Sequence, residues 1–172
     1  MKAARARRLA LIGKSGAGKS TVAEQISAGY GIRRISTGTI CRQISMLLFG
    51  NEDKASTQRI DDALTKIDPS IFLRAAMRGT LPDEPICVDS LRFSADYGLA
   101  RDEGFAIVRV TASDETRTRR LAARGQVFDL DVDGMHRSET ELDQAEVDFT
   151  ITNDGTKDEI EAALRAIFSR GV

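Results

Sequence analysis

Three kinds of residue in this chain have the spacing to do chemistry together: a glycine-rich loop ending in lysine and serine, one carboxylate closing an apolar run, and arginines set at intervals after it. The loop is Gly13-Lys14-Ser15-Gly16-Ala17-Gly18-Lys19-Ser20, which fits the pattern G-x-x-x-x-G-K-[ST]. Its glycines let the backbone turn tightly, so that successive N–H groups point at phosphate oxygens, reinforced by the positive end of the helix that follows. In such a loop Lys19 reaches the β- and γ-phosphates and the Ser20 hydroxyl ligates Mg²⁺. The flanks suit the motif, with the apolar run Leu9-Ala10-Leu11-Ile12 before it and Thr21-Val22-Ala23-Glu24-Gln25-Ile26, a helix by its spacing, after it. The loop predicts binding of a nucleoside triphosphate.

The carboxylate is Asp89, at the end of Pro85-Ile86-Cys87-Val88. Three readings stay open for it: a magnesium partner acting through water, a group that positions an acceptor oxygen, or a cap on a loop or helix. The arginines are Arg42, Arg92 and the set Arg117, Arg119, Arg120 and Arg124. Guanidinium forks match phosphate oxygens and keep their charge when partly desolvated. One phosphate chain needs Lys19 and one arginine at most, so a second group of arginines implies a second phosphorylated ligand. For Arg120 and Arg124 a solvated charged helix face remains the alternative.

These residues need a scaffold that brings them to one edge. Strand-like and helix-like segments alternate along the chain, which predicts a parallel sheet covered on both faces. Strands are expected at Leu9–Ile12, Ile32–Ile35, Pro85–Asp89, Phe105–Val110 and Val147–Thr152, the last at an edge. Helical spacing appears at Thr37–Phe49, around Ile60–Ile67, and over Ile71–Met77 with Asp68-Pro69 as its start. Further helices are expected at Ala95–Glu103, at Glu115–Ala123 capped by Asp114, and after Thr156. In open parallel sheets ligands bind beyond the carboxyl ends of the strands. Ser36-Thr37-Gly38-Thr39, Asp89-Ser90-Leu91-Arg92 and the later arginines all fall there.

The 172 residues suit one domain, residues 1–172, with a helical acceptor-binding region at about 37–80 and a lid region at about 117–140. A composition 41% hydrophobic and 30% charged describes a soluble globule, and a net charge of −1 argues against a nucleic-acid or membrane surface. Lys2, Arg5, Arg7 and Arg8 read as a solvated lead-in to the first strand. The apolar run behind them is too short for a signal peptide, and no segment approaches membrane-spanning length. Cys41 and Cys87 suggest no disulfide framework, so a reducing cytoplasm is expected.

At this point the chain resembles the P-loop nucleoside monophosphate kinases, which implies an α/β three-layer fold with a five-stranded parallel sheet. Ile35-Ser36-Thr37-Gly38-Thr39-Ile40-Cys41-Arg42 resembles the ISTGxxxR segment of adenylate kinases, implying that Thr37, Gly38 and Arg42 hold the acceptor. Arg117 to Gly125 resembles the helix and base of that family's lid, implying that Arg120 and Arg124 clamp phosphates during transfer. The lid has no long insertion and no cysteine quartet, so a short lid is expected. Asp89-Ser90-Leu91-Arg92-Phe93 resembles the D-x-R-F segment of phage-type deoxynucleoside monophosphate kinases, with one extra residue, and implies Arg92 as an acceptor contact. His136-Arg137-Ser138-Glu139 resembles their H-x-S-E motif, and Thr152-Asn153-Asp154-Gly155-Thr156 their N-D-G-T turn. The turn implies Asn153 and Gly155 on the adenine side of an ATP pocket.

The function expected is transfer of the γ-phosphoryl of ATP, with Mg²⁺, to a nucleoside or deoxynucleoside monophosphate, by a monomer or homodimer. Lys19, Asp89, Arg120 and Arg124 are its catalytic candidates. The donor contacts are Gly13, Ser15, Gly16, Ala17, Gly18, Lys19, Ser20, Thr21, Asn153 and Gly155. Ser20 and Asp89 are the metal candidates, and Thr37, Gly38, Arg42 and Arg92 face the acceptor. Competing readings are another metabolite as acceptor, of the dephospho-coenzyme A or phosphorylated isoprenoid type, and a non-catalytic nucleotide-binding regulator. A GTPase is disfavoured because the late segment lacks N/T-K-x-D. His136, the only histidine, reads as structural, phosphate-contacting or plain surface decoration, since transfer between phosphates needs no base. Ser138 and Glu139 read equally as an N-cap and a first-turn acid of a short helix.

Overall fold

A computed structural model describes residues 7–126, 129 and 131–171. Lys2 and Arg5 of the basic lead-in, and residues 127, 128 and 130 of the expected lid, lie outside these. The chain runs β1 (Arg8–Ile12), α1 (Lys19–Tyr30), β2 (Arg33–Ile35), α2 (Thr37–Phe49), α3 (Lys54–Leu64), α4 (Ile71–Met77) and β3 (Ile86–Val88). It continues with α5 (Ser94–Asp102), β4 (Ala106–Thr111), α6 (Asp114–Ala123), a 3₁₀ turn at Asp133–Met135, α7 (Arg137–Thr140), β5 (Phe149–Thr152) and α8 (Lys157–Ser169).

The five strands form one parallel sheet in the order β2-β3-β1-β4-β5, so β5 is an edge as its mixed composition predicts. β1 lies in the middle and is buried throughout. Its alternating side chains serve the two faces. Leu9 and Leu11 join Val22, Ala23 and Ile26 of α1 and Ile160, Leu164 and Ile167 of α8. Ala10 and Ile12 join Leu73 of α4, Ala100 of α5 and Leu142 on the other side. Helix, sheet and helix therefore stack as three layers, and the loop leaving β1 emerges at the middle of the sheet's carboxyl edge.

Several element ends differ from expectation, each for a local reason. Ser113, not Asp114, caps α6, its hydroxyl accepting from the Thr116 amide while Asp114 becomes a first-turn acid. The α4 helix starts after Ser70 rather than at Asp68-Pro69, because the Asp68 side chain turns back to accept from the Ser70 amide. The α3 helix begins earlier, at Lys54, where Asp53 caps it through the Ser56 amide. His136, rather than Ser138, caps α7, its ring nitrogen accepting from the Ser138 amide. Thr156 caps α8 as predicted, in a reciprocal capping box with Glu159.

The α2 helix buries only part of the face its apolar spacing picks, Ile40 and Ile44 packing beside Cys41, Ile60 and Phe72. Thr37, Gly38, Cys41 and Ser45 face inward, while Leu47 and Leu48 are 84% and 64% exposed. Small residues let α2 lie close to α3 and α4 near the site, whereas bulky leucines there would fill it. Cys41 and Cys87 are free and buried, and burial pushes both thiols up to about 12.

Candidate active site

The phosphate loop takes its shape from three left-handed glycines, Gly13, Gly16 and Gly18, at φ 140°, 80° and 92°. All three also permit close approach, Gly16 to the Arg117 carbonyl oxygen at 2.8 Å from its Cβ position. A Cβ on Gly13 would lie 2.1 Å from the Val110 carbonyl oxygen, and one on Gly18 would lie 2.1 Å from Asn153 Nδ2. The loop is braced from outside its own segment. Asn153, buried at the end of β5, donates from Nδ2 to the Ala17 carbonyl at 2.8 Å, and Arg117 donates from Nε to the Ser15 carbonyl at 2.8 Å.

Lys19 is half-buried and donates to the Gly13 carbonyl and, at 3.1 Å, to the Lys14 carbonyl. Desolvation brings its ammonium down to about 8, against the pull of Glu139 and with help from Arg92 and Lys54.

Asp89 follows β3, with its amide bonded to the Ile35 carbonyl at 2.9 Å. Its side chain is 4% exposed. Arg34, on the neighbouring strand β2, grips Oδ2 with Nε at 3.0 Å and Nη2 at 2.7 Å. Oδ1 is buried and has no hydrogen-bond partner among the described residues. An orphaned carboxylate oxygen normally costs stability, so it marks a place kept for a ligand. The Asp89 side chain and the exposed Ser20 both line the central cavity, and hard oxygens of this kind suit magnesium, which takes few protein ligands beside water and phosphate. The residues fit the metal.

That cavity has a volume of about 490 Å³. One wall is Gly13, Ser15, Gly16, Gly18, Lys19 and Ser20 from the loop. The lining also includes Ser36, Gly38 and Arg42 from the start of α2, Arg92 from the segment after β3, and Arg124 at the end of α6. Gly38 is where two arginines meet: the site of its missing Cβ lies 3.2 Å from Arg92 Nη2 and 3.3 Å from Arg42 Nη1. Arg92 is aimed by Asp61 of α3, which accepts from Nη1 at 2.9 Å and is itself buried.

Other expected site residues lie elsewhere. Thr37 is buried and its hydroxyl donates to the Ser90 carbonyl at 2.6 Å, which fixes the turn rather than facing the cavity. Ala17 is buried under the loop, and Thr21 lies in the first turn of α1 off the cavity wall. Arg120 points at the loop's back, 3.4 Å from the Gly16 carbonyl and 3.4 Å from Asn153 Oδ1. Gly155 is exposed on the turn before α8, beside Glu159. His136 is a helix cap whose Nε2 lies 3.5 Å from Asp62.

Four working residues escaped the sequence reading as site members: Arg34, Lys54, Asp61 and Glu139. Glu139 was visible as the end of the H-x-S-E resemblance or as a first-turn helix acid, yet both its oxygens reach the phosphate loop. Oε2 accepts from the Ser15 amide at 2.7 Å, Oε1 from the Ser15 hydroxyl at 2.6 Å, and Lys54 Nζ lies 3.1 Å away. Burial pushes this carboxyl up, but Lys54, the two Ser15 bonds and Lys19 together hold it down at about 2.

A family model described as an AAA domain matches residues 9–149. The chain belongs to this family. A cytidylate kinase of Rhodopseudomonas palustris (strain BisB5) is 35% identical over 71 residues, 41% of this chain and 34% of that protein. The match thus spans about a third of the curated relative's length. Among solved structures, shikimate kinase from Acinetobacter baumannii aligns with a TM-score of 0.64 at 13% identity, over 98% of this chain and 97% of that one. Deoxyadenosine kinase from M. mycoides aligns at 0.55 and 15% identity, over 94% and 99%. The fold is the α/β P-loop kinase-like fold, and the resemblance to P-loop kinases holds. Among the described residues no helix is long and apolar enough to cross a membrane.

Proposed function

We propose that this protein is a kinase that moves the γ-phosphoryl group of ATP to a nucleoside or deoxynucleoside monophosphate. One observation supports the reading: the phosphate loop with Lys19 lines the same cavity as Arg42, Arg92 and Arg124, which come from three separate segments of the chain. Two polyanions meeting head-on need that arrangement, and phosphoryl transfer asks for little beyond alignment and charge stabilisation. The loop amides and Lys19 hold the donor's phosphates. Arg42 and Arg92 hold the acceptor phosphate over Gly38, and Arg124 supplies charge from the α6 side. Ser20 and Asp89 would hold Mg²⁺, which when bound neutralises charge developing between the β- and γ-phosphates. The partial match to a cytidylate kinase supports a monophosphate acceptor.

The free oxygen of Asp89 favours a second reading, in which the acceptor is an anionic metabolite with a hydroxyl to be activated. Assays of ADP formation, run with ATP, Mg²⁺ and a panel of monophosphates and hydroxy acids, decide between them. Turnover with a monophosphate supports the first. Turnover only with a hydroxyl acceptor, lost in Asp89→Asn, replaces it. ATP consumption indifferent to every acceptor refutes both.

A further inference from the structure

Glu139 places a carboxylate where a phosphate loop should hold a phosphate. The Ser15 main-chain N–H is one of the loop amides, and it donates to Oε2 at 2.7 Å while the Ser15 hydroxyl donates to Oε1 at 2.6 Å. Lys54 of α3 adds an ion pair at 3.1 Å, and the side chain is 5% exposed. The carboxylate also acts electrostatically on Lys19, the residue that must reach the β- and γ-phosphates. Amide, hydroxyl and ammonium group in contact with one anion are the equipment of a phosphate site. The resemblance of His136 to Glu139 to a motif left this acid without a role, and its contacts supply one.

We propose that Glu139 is a specificity determinant of the donor site: an internal stand-in for a phosphate group that the terminal phosphate of a triphosphate must displace. This rests on the donor half of the proposed kinase reading and is independent of the acceptor. Two anions cannot share the Ser15 amide, since like charges at such separation repel strongly where water is scarce. Displacement breaks three contacts at once and detaches α7 from the loop. It also exchanges the carboxylate partner of Lys54 for a phosphate, so α3, in the acceptor region, registers that the donor has arrived. A diphosphate, lacking the terminal group, leaves Glu139 seated.

The test is calorimetry with the whole chain and Mg²⁺, using a non-hydrolysable ATP analogue and ADP on wild type and Glu139→Gln. The amide side chain keeps size and one acceptor but loses the charge. Tightening of about tenfold for the triphosphate analogue, with ADP changed less than threefold, supports the inference, since charged hydrogen bonds are roughly twice as strong as neutral ones. Equal or weaker triphosphate binding in the variant overturns it and makes Glu139 a residue that holds the donor. Binding of neither nucleotide by either protein overturns the donor site together with the kinase reading. Failure with the acceptor panel alone leaves this result standing. Hydrogen exchange on wild type tests the same claim without a variant. The analogue should slow exchange at Gly13–Ser20 and speed it across α7, whereas slower or unchanged exchange at α7 overturns the displacement.

Discussion

Replacing Gly38 by alanine should separate stability from acceptor binding. Gly38 is the second residue of α2, its φ is not positive, and no backbone atom outside the helix lies within 4 Å of where its Cβ would sit. The neighbours at 3.2 and 3.3 Å are the tips of Arg92 and Arg42, with the Ser36 hydroxyl at 3.9 Å. Alanine is the better helix former by roughly 0.5–1 kcal/mol in a helix interior, and a first-turn position gains about the lower figure. For a chain of this size that corresponds to a rise in Tm of about 1–2 °C. The folded protein should therefore tolerate the change or gain from it.

The acceptor should not tolerate it. Arg92 is tethered to Asp61 at 2.9 Å, so its guanidinium has little room to swing, and Arg42, held to Thr39 Oγ1 at 3.1 Å, must give way. The methyl group then takes the point at which both forks converge. Losing one charged hydrogen-bond geometry costs about 1.5–3 kcal/mol, hence roughly a 10- to 100-fold rise in acceptor KM, while the ATP analogue binds as before. Differential scanning fluorimetry and steady-state kinetics with acceptor varied measure both halves. A fall in Tm beyond about 3 °C would show that the helix needs glycine here. An unchanged acceptor KM would show that the two arginines hold something other than the acceptor, and the reasoning fails.

Three further outcomes follow from the same contacts. Lys19, brought down to about 8 by desolvation, is mostly neutral in the donor-free protein at pH 9, and a bound triphosphate restores its proton. Calorimetry at pH 9 in buffers of differing ionisation enthalpy should therefore show proton uptake on binding, which should vanish at pH 7; no uptake at pH 9 would contradict the burial argument. Asp96 is buried with Oδ1 unpaired, and burial, with Asp61 and Asp68, raises its carboxyl to about 7. Because the folded state holds this proton more tightly than the unfolded one, stability should decline as pH rises from about 4 to 7. Asp96→Asn should remove that decline and stabilise the protein at pH 8 by an amount on the order of 4 kcal/mol, read from urea melts at both pH values. Asn153→Ala removes the brace on the Ala17 carbonyl and should cost about 1–3 kcal/mol in those melts while weakening ATP-analogue binding more than acceptor binding.

What the sequence disclosed, and what it hid, divides along a physical line. The order of strands and helices was legible because β1 and its neighbours are apolar runs and because the phosphate loop can sit only between a strand and a helix. Arg42 and Arg92 were legible for a similar reason: each follows a strand end at short range, so the backbone alone carries it to the cavity. The residues that aim and balance them were not. Arg34 reaches Asp89 across 55 positions, Asp61 reaches Arg92 across 31, and Glu139 reaches Ser15 across 124. Each is an ordinary charged residue in its local window, and only folding gives it a partner. The same holds for Asn153, whose turn suggested a role beside the base but whose amide braces the loop instead. Local spacing therefore locates the groups that line the cavity, while the groups that fix their charge and direction are supplied by long-range contacts. In this chain those contacts converge on the phosphate loop itself, where Glu139 and Lys54 tie the lid side and the acceptor side to one serine, so exchange of that single carboxylate for a phosphate is felt in both.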